Sequence, residues 1–169
     1  MDKPKILDPG CGTGIPTIEL ANLSNGDIVA IDIDQKLIDT LDEKIKELNL
    51  KTRITTMKMS LLKNEFLDNC FDLIWEEGVL QVIGFRKSCK ECYRILKVGG
   101  FLVLGQSVSN LRKNQGLFTN CGFKLVNKLS LPEACWWTEY YEPLERKVKE
   151  IREGKEGINL FINLNDVET

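Results

Sequence analysis

Three glycines, Gly10, Gly12 and Gly14, stand between an apolar run ending in Asp8-Pro9 and a helical stretch beginning at Ile15. A chain that turns sharply there needs positive φ. That conformation costs a non-glycine residue about 1–2 kcal/mol, and a side chain would also hold a ligand off the backbone. The following helix directs unpaired N–H groups and its positive end toward whatever occupies the loop. Asp32 closes the next apolar run, 20 residues after Gly12, where a carboxylate can accept hydrogen bonds from both hydroxyls of a ribose. A glycine loop framed by strand and helix, with an acid at that distance, predicts a site for an adenosine-bearing cofactor.

Charge narrows the choice of cofactor. The dinucleotide pattern G-x-G-x-x-G would need glycine where Ile15 stands, and Gly14 comes one residue early. Asp8 at the mouth of the loop would repel a pyrophosphate. S-adenosylmethionine carries an ammonium and a sulfonium, and its carboxylate can use the helix N-terminus instead of a phosphate. The charges therefore favour the sulfonium cofactor over NAD.

With 169 residues, 43% hydrophobic and 28% charged, the chain reads as a single globular domain over residues 1–169. Its net charge of −2, with acids and bases interleaved, lacks the basic footprint of a nucleic-acid binder. The longest apolar runs are strand-length, and no signal peptide is visible. The expectation is a cytoplasmic protein with neither nucleic-acid nor membrane partners. Cys11, Cys70, Cys89, Cys92, Cys121 and Cys135 are expected as free thiols, since the single C-x-x-C at 89–92 has no second pair and no histidine to complete a zinc site. The absence of histidine also excludes a Ser-His-Asp triad, and no metal site is expected.

Positioning such a loop requires strands alternating with helices, and short apolar runs do alternate with amphipathic stretches as in βαβ units. Strands are predicted over residues 5–8, 27–32, 54–59, 71–75 and 101–105, and helices over 15–23, 35–48 and 85–96, the last stopping at Lys97-Val98-Gly99-Gly100. A short helix over 110–120, a strand from Phe123 to Ser130, a helix over 141–152 and an alternating strand from Ile158 to Leu164 follow. Pro16 suits the first turn of its helix, where the missing N–H has no partner to lose.

Four segments occur in an order and spacing that chance explains poorly: Ile6-Leu7-Asp8-Pro9-Gly10-Cys11-Gly12-Thr13-Gly14, Val29-Ala30-Ile31-Asp32-Ile33-Asp34, Asp68 to Trp75, and Arg94 to Leu102. They resemble the characteristic motifs of class I, Rossmann-like S-adenosylmethionine-dependent methyltransferases. The run Leu131 to Tyr141 resembles the small-molecule, quinone-biosynthesis-like branch. The resemblance implies an α/β three-layer sandwich with a mostly parallel seven-stranded sheet, helices on both faces and an antiparallel last strand. It also implies roles. Gly10, Gly12 and Gly14 would wrap the methionine part, with Cys11 as a small filler among them and Asp8 fixing the amino group. Asp32 would hold the ribose and Ile33 would pack on the adenine. Ser60, with Leu61 beside it, stands where relatives carry an acid for the adenine amino group; a neutral hydroxyl is the weaker acceptor. Glu76 would lie near the sulfonium. Relatives also carry capping helices before the first strand and a longer segment after the fifth, so the N-terminal cap and lid are expected to be short or missing here, the chain being a minimal form, a fragment, or one whose lid comes from a partner.

Methyl transfer from a sulfonium is an in-line displacement with a neutral leaving group, so a protein mainly positions the two reactants. A general base helps only where the acceptor must lose a proton, and without histidine the candidates are Glu76, Glu77, Tyr140 and Tyr141. The acids could equally be solvated at a strand end. Trp136, Trp137, Tyr140 and Tyr141 suit a substrate pocket, core packing or a homodimer interface. Three functions stay open: methyl transfer to a small molecule, a cofactor-binding or regulatory domain without catalysis, and a nucleotide-dependent oxidoreductase, which the position of Gly14 disfavours.

Overall fold

Alternation along the buried strands decides the layering. In β1 (Lys5–Pro9), Ile6 packs on one side of the sheet and Leu7 on the other. In β2 (Asp27–Asp32), Ile28 and Ala30 join Ile6, while Val29 and Ile31 join Leu7. Both faces are apolar, as a parallel sheet covered on both sides requires. Leu20 and Ala21 of α1 (Ile15–Leu23) and Ile38, Leu41 and Ile45 of α2 (Gln35–Glu47) cover the Ile6 face.

Beyond β3 (Ile54–Lys58) and β4 (Phe71–Glu77), a five-residue helix α3 (Val79–Ile83) leads into α4 (Phe85–Ile95). Leu80 of α3 and Cys92 and Ile95 of α4 cover the Leu7 face together with Phe71. β5 (Leu96–Gly105) and α5 (Val108–Asn120) complete the elements. All five strands run parallel in the order β3-β2-β1-β4-β5. The order reverses between β1 and β4, and at such a switch point the carboxyl ends of the strands open a crevice.

This computed structural model describes residues 3–130 together with Thr138, Glu142, Glu145, Arg146 and Lys149. The chain divides into two compact units, Met1–Leu125 and Val126–Thr169. The parallel α/β sandwich expected from the sequence is present, with five strands among the described residues. Three expectations change. The strand expected over 123–130 does not form: these residues carry no regular secondary structure and pair with no strand of the sheet. The turn expected at Lys97–Gly100 lies inside β5: Leu96 already pairs with Phe71, and the register slips before Phe101 pairs with Leu73, with Gly99 at φ 79°. The short helix α3 has no counterpart among the elements expected from the sequence. The expected strand over 158–164 lies outside the described residues, as does most of the helix over 141–152, whose described members Glu142, Glu145, Arg146 and Lys149 are helical.

One side chain ties the end of α1 to the turn that follows it. Arg53, just ahead of β3, donates to the carbonyls of Ala21 (2.9 Å), Ser24 (2.6 Å) and Gly26 (2.9 Å). These are orphan acceptors at a helix end and in the turn that follows. Arg53→Leu is expected to lower stability by about 2 kcal/mol, read as a lower midpoint at unchanged slope in urea unfolding.

Candidate cofactor site

The glycine loop is tied to the end of β2. Gly10 and Cys11 both donate their N–H groups to the Ile31 carbonyl (2.7 and 3.1 Å), and Gly12 donates to Oδ2 of Asp32 (3.0 Å). Oδ1 of Asp32 accepts from the Asp34 N–H (2.9 Å), so one carboxylate closes the loop and sets the start of α2. Asp34 in turn caps α2 by accepting from the Lys36 N–H (2.9 Å). From α2, Lys44 Nζ reaches back to the Thr13 carbonyl (2.9 Å). The sequence suggests a loop full of free donors, but β2 takes most of them. The Gly14 N–H goes to Cys11 O (2.9 Å), and the N–H groups of Thr13 and Ile15 remain without a partner among the described residues.

The glycines serve different ends. A side chain at Gly14 (φ +83°) would collide with Leu41 of α2, and one at Gly10 (φ +73°) would press on Val79 of α3. Those two let helices close over the loop. A Cβ at Gly12 (φ +55°) would meet nothing within 4 Å, so the face of this residue is open to an approaching group.

Two buried carboxylates stand near the carboxyl ends of β1 and β4. Asp8 is 3% exposed and accepts from Thr17 Oγ1 at 2.5 Å. Burial pushes its carboxyl up to about 6; the Thr17 hydrogen bond opposes this, and the charges of Glu77 and Asp32 add to it. Glu76, at the end of β4, is fully buried. It accepts from the Leu80 N–H of α3 (2.8 Å) and from Gln106 Nε2 beyond β5 (2.9 Å), and burial raises its pKa as well. Among the described residues no lysine or arginine pairs with Asp8, Asp32, Glu76 or Glu77. Glu77 is exposed and accepts from Trp75 Nε1 (2.8 Å).

The remaining sequence candidates separate. Ile33 follows β2 and is 71% exposed, so its side chain is available to a ligand. Ser60 is half-buried just after β3, where the Met59 N–H donates to Asp32 O (2.8 Å) and brings the two strand ends together. Leu61, beside Ser60, is buried in the core of the Leu7 face. Cys11 is buried, with its thiol pushed up to about 12 by desolvation and then by Asp8 and Asp32; it fills space and is no nucleophile. Tyr140 and Tyr141 lie outside the described residues. Thr17, Lys44 and Gln106 join the site without any signal in the local sequence pattern. A shallow depression beside α2 and β3, lined by Asp42, Lys46, Lys51, Thr55 and Thr56, contains none of the candidates.

A family model described as a methyltransferase domain matches residues 7–104, from β1 to the end of β5. The chain belongs to that family. Methyltransferase domains of this type use S-adenosylmethionine and have the Rossmann-like fold seen here. Among characterised relatives, a sterol 24-C-methyltransferase of Aspergillus fumigatus is 26% identical over 86% of this chain and 46% of its own length. A demethylmenaquinone methyltransferase of Lactobacillus johnsonii is 34% identical over 56% of this chain and 40% of its own length. The chain thus spans less than half the length of either relative. A SAM-dependent methyltransferase from Aquifex aeolicus superposes with a TM-score of 0.66 at 19% identity, over 78% of this chain and 79% of the other, and that likeness shows the fold.

The environment of Asp8 has a consequence for stability. Its folded carboxyl titrates near 6 against an ordinary value of 3.8, so between these values the folded state holds a proton that the unfolded state has lost. Stability therefore falls as pH rises from about 4 to 6, by at most about 3 kcal/mol from this group. Asp8→Asn is expected to remove that part of the fall, read as the difference between wild-type and variant urea midpoints across the range.

Proposed function

We propose that this methyltransferase domain binds S-adenosylmethionine at the carboxyl ends of β1, β2 and β3 and transfers its methyl group to a small-molecule acceptor by in-line displacement. The observations that carry the reading are the open face of Gly12, whose N–H is held by Asp32, and the buried Asp8 at the end of β1, which has no basic partner among the described residues. Asp8 would attract the cofactor's ammonium, and the Thr13 and Ile15 N–H groups would face its carboxylate. The remaining lone pairs of Asp32 would accept from the ribose hydroxyls, Ile33 would cover the adenine and Ser60 would meet its amino group. When bound, the sulfonium supplies the methyl group that is displaced.

Glu76 fits a supporting role, since both its oxygens are engaged and it has no exposed surface. Glu77, exposed at the same strand end, is the described residue better placed to take a proton from an acceptor that carries one. Tyr140 remains a second candidate for that task. The sterol and menaquinone-precursor chemistry named for the relatives supports an apolar acceptor of modest size.

Calorimetric titration tests the binding step. Wild-type protein is expected to bind S-adenosylmethionine, and Asp32→Ala to bind at least about tenfold more weakly, a loss of about 1.4 kcal/mol. Affinity should also fall as pH drops below about 6, approaching tenfold per unit, because a protonated Asp8 must ionise before it can pair with the ammonium. Asp8→Asn should flatten that dependence. A folded protein that binds no cofactor contradicts the reading. Binding without labelled-methyl transfer across a broad acceptor panel would favour a cofactor-binding domain without catalysis.

A further inference from the structure

The two helical layers differ in charge, which the near-neutral total conceals. α1 and α2 carry five acids against three lysines. On the opposite face of the sheet, α3, α4 and α5 carry six basic residues against the single acid Glu91, which pairs with Arg94. The α3–α5 layer is therefore strongly basic and the α1–α2 layer mildly acidic.

The five remaining cations are exposed on two helices that pack against each other. In α4, the buried residues Ser88, Cys89, Cys92 and Ile95 face the sheet. Arg86, Lys87 and Lys90 are exposed, and helical periodicity puts them on the opposite side. α5 packs beside α4 through the Phe85–Phe118 edge contact (centroids 6.0 Å) and exposes Arg112 and Lys113. None of the five side chains has an ion pair or hydrogen bond among the described residues. Tyr93 lies on the same side of α4, its ring edge-on to Phe123 (5.4 Å) and 52% exposed. No helix among the described residues is long and apolar enough to cross a membrane, so any contact with a bilayer through this surface would be peripheral.

We propose that the outer face of α4 and α5 docks reversibly on an anionic lipid bilayer. Each basic side chain brought near such a surface multiplies partitioning by roughly fivefold, so five together support salt-sensitive association without any inserted segment. An exposed tyrosine among lysines and arginines suits the headgroup region, where its ring meets apolar and wet surroundings at once. A planar bilayer touches one face only. A nucleic acid long enough to extend past this layer would meet the acidic α1–α2 side and the carboxylates of the strand ends, and the chain as a whole is acidic. The inference does not depend on methyl transfer, although a membrane surface would place the domain beside apolar acceptors.

Vesicle flotation of the full chain tests it. The protein is expected to float with vesicles of phosphatidylcholine mixed with phosphatidylserine, to stay behind with phosphatidylcholine alone, and to be released by high salt. Arg86→Glu combined with Lys87→Glu and Lys90→Glu should weaken partitioning by roughly a hundredfold or more. Its unfolding midpoint and S-adenosylmethionine binding should stay at wild-type values. If that variant does not fold, Arg112→Gln with Lys113→Gln on the neighbouring helix should still weaken flotation measurably. Failure of the wild-type protein to float, equal flotation with both lipids, variants that float unchanged, or preferential binding of duplex DNA each overturn the proposal. Cofactor binding measured on the same preparations reports on the proposed function separately.

Discussion

Asp8 and Glu76 are carboxyl groups removed from water whose partners among the described residues are neutral donors, Thr17 for the first and the Leu80 N–H and Gln106 for the second. Ionising a carboxyl in such surroundings costs stability, which is why burial raises both. A structural acid would ordinarily be paired with lysine or arginine, or replaced by an apolar residue. An acid retained without a cation is one that a positively charged ligand can complete. Much of the local architecture serves to keep Asp8 in that state. β1 is central and buried on both sides, Thr17 supplies one directed hydrogen bond, and α1 and α2 close over the loop that follows.

Asp32 links this electrostatic condition to the fold. Its two oxygens fix the Gly12 and Asp34 amides, so the loop after β1 and the turn after β2 form one hydrogen-bonded unit. Lys44 and Leu41 carry that unit onto α2, one by bonding the Thr13 carbonyl and the other by packing where Gly14 leaves no Cβ. On the far side of the switch point, Glu76 bonds α3 and Gln106 together, and Val79 of α3 rests against Gly10. Two glycines are thus committed to packing, which leaves Gly12 as the place where a ligand can come close.

The parts legible in the sequence are those set by local pattern. Continuous apolar runs locate β1 and β2, and a 3.6-residue stripe locates α2 within a residue of its end. The spacing of Asp8, the glycines and Asp32 identifies the core of the site, because strand–loop–helix geometry converts those intervals directly into proximity. α3 is invisible at that level because five residues between Gly78 and Gly84 show no periodicity. Gln106 and Lys44 are equally hidden, since their partners lie 30 and 31 residues away, a distance bridged only by the folded sheet. Phe123 to Ser130 shows the opposite error, a partly apolar run that joins no strand of the described sheet. The charge difference between the layers is concealed for a similar reason: a sum over the chain carries no information about faces.

Amide NMR during titration with S-adenosylmethionine tests most directly whether the strand ends form the binding site. Saturable shifts are expected at Gly12, Thr13, Ile15 and Ile33, with smaller ones at Asp34 and Ser60. Shifts centred instead on Asp42, Lys51, Thr55 and Thr56, or a folded protein whose loop amides do not move at saturating cofactor, would contradict it.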